Sequence, residues 1–129
     1  MTVLVGYLPS PEGEAAFTAA LAEATRRNET LLAVNSPRSG APVSAEAADD
    51  RTIADLLDRA KQAGVEIRLR TTPHAGELAD ELLDIAEEEH ASVIVIGLRR
   101  RSPVGKLFLG STAQRILLAA GRPVLAVKP

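Results

Sequence analysis

Four consecutive β-branched residues, Val93-Ile94-Val95-Ile96, constrain this chain more than any other stretch. Successive side chains of a strand point to opposite faces, so an unbroken apolar run buries both faces and needs cover from both sides. The rest of the sequence supplies that cover. Apolar segments at Val3 to Tyr7, Leu31 to Val34 and Pro123 to Val127 read as further strands. Between them, Phe17, Ala20, Leu21 and Ala24, then Ile53, Leu56, Leu57 and Ala60, then Leu78, Leu82, Ile85 and Ala86, then Ala113, Ile116, Leu117 and Ala120 fall at helical spacing. Ser10-Pro11 marks a helix start, with a cap residue followed by Pro at the first helical position, while Gly64 and Gly121 mark helix stops. Val65 to Arg70 alternates apolar with charged residues, as a strand at a sheet edge does. The order is βαβαβαβαβ. It predicts an open, doubly wound, five-stranded parallel sheet of order 3-2-1-4-5 with helices on both faces.

At 129 residues the chain reads as one domain, 1–129, able to bury roughly two thirds of its unfolded surface without a staple. It has no Cys, which removes disulfides, thiolate metal sites and a Cys nucleophile, and fits a reducing compartment. Fifteen Lys and Arg against seventeen Asp and Glu argue against a whole-surface nucleic-acid binder. Two Phe, one Tyr and no Trp leave no aromatic platform for base stacking. No apolar run approaches the roughly 20 residues that cross a bilayer, and Met1 to Gly6 carries no basic leader, so the expected location is the cytoplasm with no membrane partner.

Ligands of open α/β sheets bind beyond the carboxyl ends of the strands where the winding reverses. Here that is the end of strand one, Gly6, Tyr7 and Leu8, and of strand four, Ile96 and Gly97. The segment from Gly97 to Leu109 reads as a basic loop, with Arg99, Arg100, Arg101 and Lys106, entering the fourth helix at Gly110-Ser111-Thr112. Gly110 admits close backbone approach, and Ser111 or Thr112 is placed to cap the helix and aim a hydroxyl and amides at an anion. This is not an NTPase phosphate loop, since Gly105-Lys106 is preceded by Arg100 and followed by Leu107. A dinucleotide glycine fingerprint after strand one is missing too. Asn35 to Ser44 is the one long loop, and residues 36–48 are expected to move in the absence of ligand. His74, placed at a helix start, and His90, at a helix end, are read as structural, and Asp49-Asp50 and Glu87-Glu88-Glu89 as solvated helix faces.

The first strand, the five-strand alternation, the Gly97 to Thr112 segment and the ending Arg122-Pro-Val-Leu-Ala-Val together resemble the universal stress protein family, across essentially the whole chain. Nucleotide-binding members have a glycine, two residues, a second glycine, nine residues, then Gly-Ser or Gly-Thr. Gly97, Gly110 and Ser111 match this pattern with the spacing intact, and Arg100 stands where the second glycine would be. The resemblance implies a stress-response regulatory or sensing protein, not an enzyme, that binds ATP, AMP or another adenine nucleotide, with Mg2+ admitted beside the phosphates. It implies phosphates on Gly97, Gly110, Ser111 and Thr112, charge from Arg99 or Arg100, and an adenine wall at Val34. It places Leu8 where members commonly carry an Asp beside the sugar. It also implies a homodimer through the last strand. The alternative is a dimeric interaction protein of the same family that has lost nucleotide binding, which Leu8 and Arg100 favour.

Overall fold

The computed structural model describes residues 1–37, 48–100 and 107–129. Most of the long loop read between strand two and helix two therefore lies outside the described residues. The chain runs β1 (Thr2–Gly6), α1 (Pro11–Arg27), β2 (Thr30–Asn35), α2 (Asp50–Gln62), β3 (Ile67–Thr71), α3 (Leu78–Glu88), β4 (Ala91–Gly97), β5 (Arg99–Arg100), β6 (Leu107–Phe108), α4 (Ser111–Ala119) and β7 (Val124–Val127). Five strands form one parallel sheet in the order β3-β2-β1-β4-β7, the expected 3-2-1-4-5 topology.

The period of two in the strands divides the core. Val3, Val5, Leu31, Ala33, Val93 and Val95 face α1 and α2, where Phe17, Ala20 and Leu56 meet them. Their neighbours Leu4, Leu32, Val34, Ile94 and Ile96 face α3 and α4, against Leu82, Ile85 and Ile116. Fully burying an aliphatic side chain of this size stabilises by about 1.5–3 kcal/mol, so the continuous apolar runs hold both helical layers in place.

Helix ends follow local chemistry. Ser10 Oγ accepts from the Gly13 amide (3.1 Å) with Pro11 in the first turn, and Asn28 closes α1 in the left-handed region at φ 55°. Gly64, at φ +70°, turns the chain out of α2 towards β3. Asp49, read as a solvated face residue, caps α2 instead, its Oδ1 accepting from the Thr52 amide at 2.8 Å. The basic loop after β4 is corrected in part: Arg99 and Arg100 pair antiparallel with Phe108 and Leu107, so its two ends form a short ribbon. Backbone groups that leave one strand find each other there rather than water. His74 is not at a helix start. It is buried in the connection from β3 to α3, its amide donating to the Pro37 carbonyl at 3.0 Å.

Candidate functional site

β1 pairs with β2 on one side and β4 on the other, so the chain winds in opposite directions from this point and the helices diverge beyond it. The gap is a cleft of about 200 Å³. Its floor is aliphatic, formed by Val34, Leu78, Leu82, Ile96 and Ile116. Gly6 contributes flatness, since a Cβ there would lie 3.2 Å from Leu82 Cδ1.

Of the residues read from the sequence, Gly6, Tyr7, Leu8, Val34, Ile96, Gly97, Arg99, Gly110, Ser111 and Thr112 all line this one cleft. The side chain of Arg100 lies outside the described residues. The sequence reading missed Glu12, Ser36, Leu98 and Ala113, together with the floor residues Leu78, Leu82 and Ile116. Leu82, Ala113 and Ile116 were legible as the buried faces of their helices, but not as cleft walls. Glu12 carried a weak signal, being in the first turn of a helix that starts at the winding reversal.

Two glycines build one wall. A Cβ at Gly97 would stand 2.2 Å from the main-chain oxygen of Glu12, and one at Gly13 would stand 1.8 Å from that of Leu8. The first turn of α1 thus presses directly on the ends of β1 and β4. The glycine at 97 is required by this backbone contact. Gly110 is different: its φ of −66° suits any residue, and a Cβ there would meet nothing within 4 Å.

The opposite wall is the start of α4. Gly110 is its N-cap and makes no side-chain cap hydrogen bond, so Ser111 and Thr112 are the first helical residues and not the caps expected from the sequence. No acidic residue lies in that first turn. The leading amides of a helix carry partial positive charge, which suits an anion. Arg99 reaches across to Glu12, Nε to Oε1 at 3.4 Å.

Behind the cleft, Tyr7 donates its hydroxyl to Glu14 Oε1 (2.7 Å), and Glu14 Oε2 accepts from Arg59 at 2.6 Å. Arg59 also donates to Thr18 and lies 4.8 Å over the Phe17 ring, whose edge-to-face partner is Tyr7. Burial, then the hydrogen bond to Glu14, push the Tyr7 phenol well above its ordinary value. Burial works to raise Glu14, but the hydrogen bonds from Tyr7 and Arg59 prevail and hold its carboxyl below the usual range. Tyr7 is therefore a neutral, fixed wall residue. On the β2 side, Ser36 Oγ donates to the Thr72 carbonyl at 2.5 Å. That uses its one proton, so the 3.2 Å contact with His74 Nδ1 has the ring nitrogen donating to Ser36.

An aliphatic slot ending at uncapped helix amides can hold a flat apolar group at one end and an anion at the other. The described cleft offers one carboxylate, Glu12, already engaged by Arg99, and no metal-binding cluster of acids and histidines occurs among the described residues. The donors present do not fit a protein-held Mg2+.

A doubly wound α/β domain with a cleft at its winding reversal is thus the class this chain defines. Its sequence matches the model of the Universal stress protein family over residues 1–128, and the chain belongs to that family. A universal stress protein of Mycolicibacterium smegmatis is 41% identical over 127 residues, covering 98% of this chain and 97% of that one. The Archaeoglobus fulgidus universal stress protein solved in complex with dAMP superposes with a TM-score of 0.73 at 25% identity, covering 99% of this chain and 98% of its own. Another, solved in complex with cAMP, gives 0.75 at 27% identity over 99% and 96%. No helix among the described residues is long and apolar enough to cross a membrane.

Proposed function

We propose that this chain is a stress-response regulatory module, not an enzyme, that binds an adenine nucleotide in the cleft between the ends of β1 and β4. The observation that carries the reading is the juxtaposition of an aliphatic floor with the uncapped start of α4. The base lies on Val34, Ile96 and Leu82, beside Tyr7 and Leu8, and the phosphate lies on the amides of Ser111 and Thr112. Arg99, and Arg100 from the adjoining segment, add charge. Relatives of the same fold solved with dAMP and cAMP support an adenine ligand. Where ATP enters the same cleft with Mg2+, the ion arrives on its phosphates, since the described residues do not hold it.

A ligand at about 100 times its dissociation constant stabilises a fold by about 2.7 kcal/mol, which raises the melting temperature by several degrees at this size. AMP, cAMP and ATP are therefore tested by thermal shift and titration calorimetry on the parent, Ser111→Ala and Arg100→Gly. Binding by the parent that weakens in Ser111→Ala is expected. If Arg100 pairs with phosphate, Arg100→Gly weakens binding and reduces its salt dependence. Absence of any response in the parent and in Arg100→Gly would leave a dimeric interaction protein, which the apolar β7 edge independently favours.

A further inference from the structure

Two helices begin at the mouth of the cleft, and their N-termini are dressed differently. α4 opens with Gly110-Ser111-Thr112, with no acid in its first turn and, among the described residues, no side-chain cap on its leading amides. α1 opens with Ser10 on the Gly13 amide and with Glu12 and Glu14 in its first turn. Glu12 is the acid of the described cleft lining, its side chain only 20% exposed, and the cation of that lining, Arg99, is engaged by it. The Glu12 backbone is fixed as well, wedged against Gly97. An entering anion thus meets a positive helix end on one wall and a partly desolvated carboxylate on the other. Arg99 touches Glu12 through Nε alone, so its charge is shared between Glu12 and any ligand that its remaining donors reach.

We propose that Glu12 is a specificity-determining residue that limits how much phosphate charge the cleft accepts, holding down the affinity for a di- or triphosphate relative to a monophosphate or cyclic monophosphate. This rests on the nucleotide reading above. The base contacts are common to all adenine nucleotides, so they cancel in a comparison. Repulsion from Glu12 grows with each added negative charge, by an amount on the order of fivefold in affinity at the distances and screening of a half-open cleft. The change in the ratio between nucleotides on altering Glu12 is the quantity that isolates its role, because charges common to the parent and the variant cancel in it.

The experiment is titration calorimetry of adenosine, AMP, cAMP and ATP, without Mg2+, on the parent, Glu12→Gln, Glu12→Asp and the double variant Glu12→Gln/Arg99→Gln. Glu12→Gln is expected to tighten ATP roughly fivefold or more, AMP and cAMP progressively less, and adenosine not at all. Glu12→Asp, which keeps the charge, stays close to the parent. In the double variant the gain shrinks, because part of it came from Arg99 no longer sharing its charge with Glu12. Adding Mg2+ with ATP narrows the difference between parent and Glu12→Gln, since the ion neutralises the phosphates. Nucleotides that bind with an ATP to AMP ratio unchanged by Glu12→Gln overturn the role of Glu12 while leaving the nucleotide site intact. Failure of every nucleotide to bind to the parent and to Glu12→Gln overturns the nucleotide reading itself, and this role with it.

Discussion

At residue scale, Glu14 joins the cleft wall to the outer helix layer, because its two oxygens hold Tyr7 on β1's extension and Arg59 on α2. A carboxyl whose folded pKa lies below its unfolded value contributes stability that is complete above the unfolded value and is lost as the pH falls through the folded one. Glu14, with its ordinary value of 4.5, is of this kind. Asp49 is held down by the Thr52 amide and Glu89 by Arg68, so both act in the same direction. The melting temperature is therefore expected to stay level between about pH 5 and 9 and to fall below pH 5, and Glu14→Gln should reduce that acid slope. Tyr7→Phe removes the donor to Glu14 and should cost about 1 kcal/mol by denaturant unfolding, as loss of one part-buried hydrogen bond does. The two cleft glycines separate packing from binding. Gly97→Ala forces a Cβ into the Glu12 carbonyl and should lose about 2–3 kcal/mol. Gly110→Ala should fold within about 1 kcal/mol of the parent, because its φ and surroundings admit a side chain. Its methyl would then obstruct the start of α4, so a normal denaturation midpoint with weakened nucleotide binding is the expected pairing. A Gly97→Ala protein as stable as the parent would contradict the packing account.

At the scale of elements, what could be read in the sequence is what local pattern fixes. The four-residue run Val93 to Ile96, the alternation at Val65 to Arg70 and the Ser10-Pro11 start each report their own environment, and each lies where its pattern places it. What could not be read depends on contacts between distant segments. Gly13 and Gly97 look like ordinary punctuation until α1 is seated on the ends of β1 and β4, and only then does each prove to be a close backbone approach. His74 follows a proline and resembles a helix start, yet bonds to Ser36 and Pro37, which come from the far side of α2 and β3. Glu87 and Glu88 are exposed as expected and Glu89 is half-buried, but none of the three is simply solvated. They meet Arg122, Arg70 and Arg68 at 3.2, 2.9 and 2.8 Å. Acids at a helix C-terminus oppose its dipole, and arginines from β3 and from the approach to β7 offset that cost. The candidate site was legible to the same extent: its strand ends and helix start follow from topology, whereas Glu12 and its pairing with Arg99 required the wall that the two glycines create.

At the scale of the whole molecule the two edges of the sheet differ. β3 presents Arg68 and Arg70, tied to Glu89 just past α3 and to Glu88 at its end, a charged edge that discourages further strand pairing. β7 presents Val124-Leu125-Ala126-Val127, all four half-buried, and beside it α4 leaves Leu117 41% and Leu118 82% exposed. An apolar edge strand with unpaired backbone groups and an adjacent apolar helix face is unstable in isolation against pairing with a second copy. A two-fold contact between β7 strands would satisfy both the backbone and the leucines, since such an interface sets the same patch against itself. Antiparallel pairing across that axis continues the sheet into a second molecule and leaves both clefts open, because the clefts lie at the carboxyl ends of β1 and β4 rather than along the outer edge. The protein is therefore expected to scatter light as a particle of twice 13.6 kDa at micromolar concentration. Leu125→Lys places a charge on this edge and should give a monomer that still binds nucleotide, and removal of residues 123–129 should abolish association together with much of the stability that β7 gives β4. A parent protein that remains at 13.6 kDa at high micromolar concentration would overturn the pairing and leave the apolar edge to some other element.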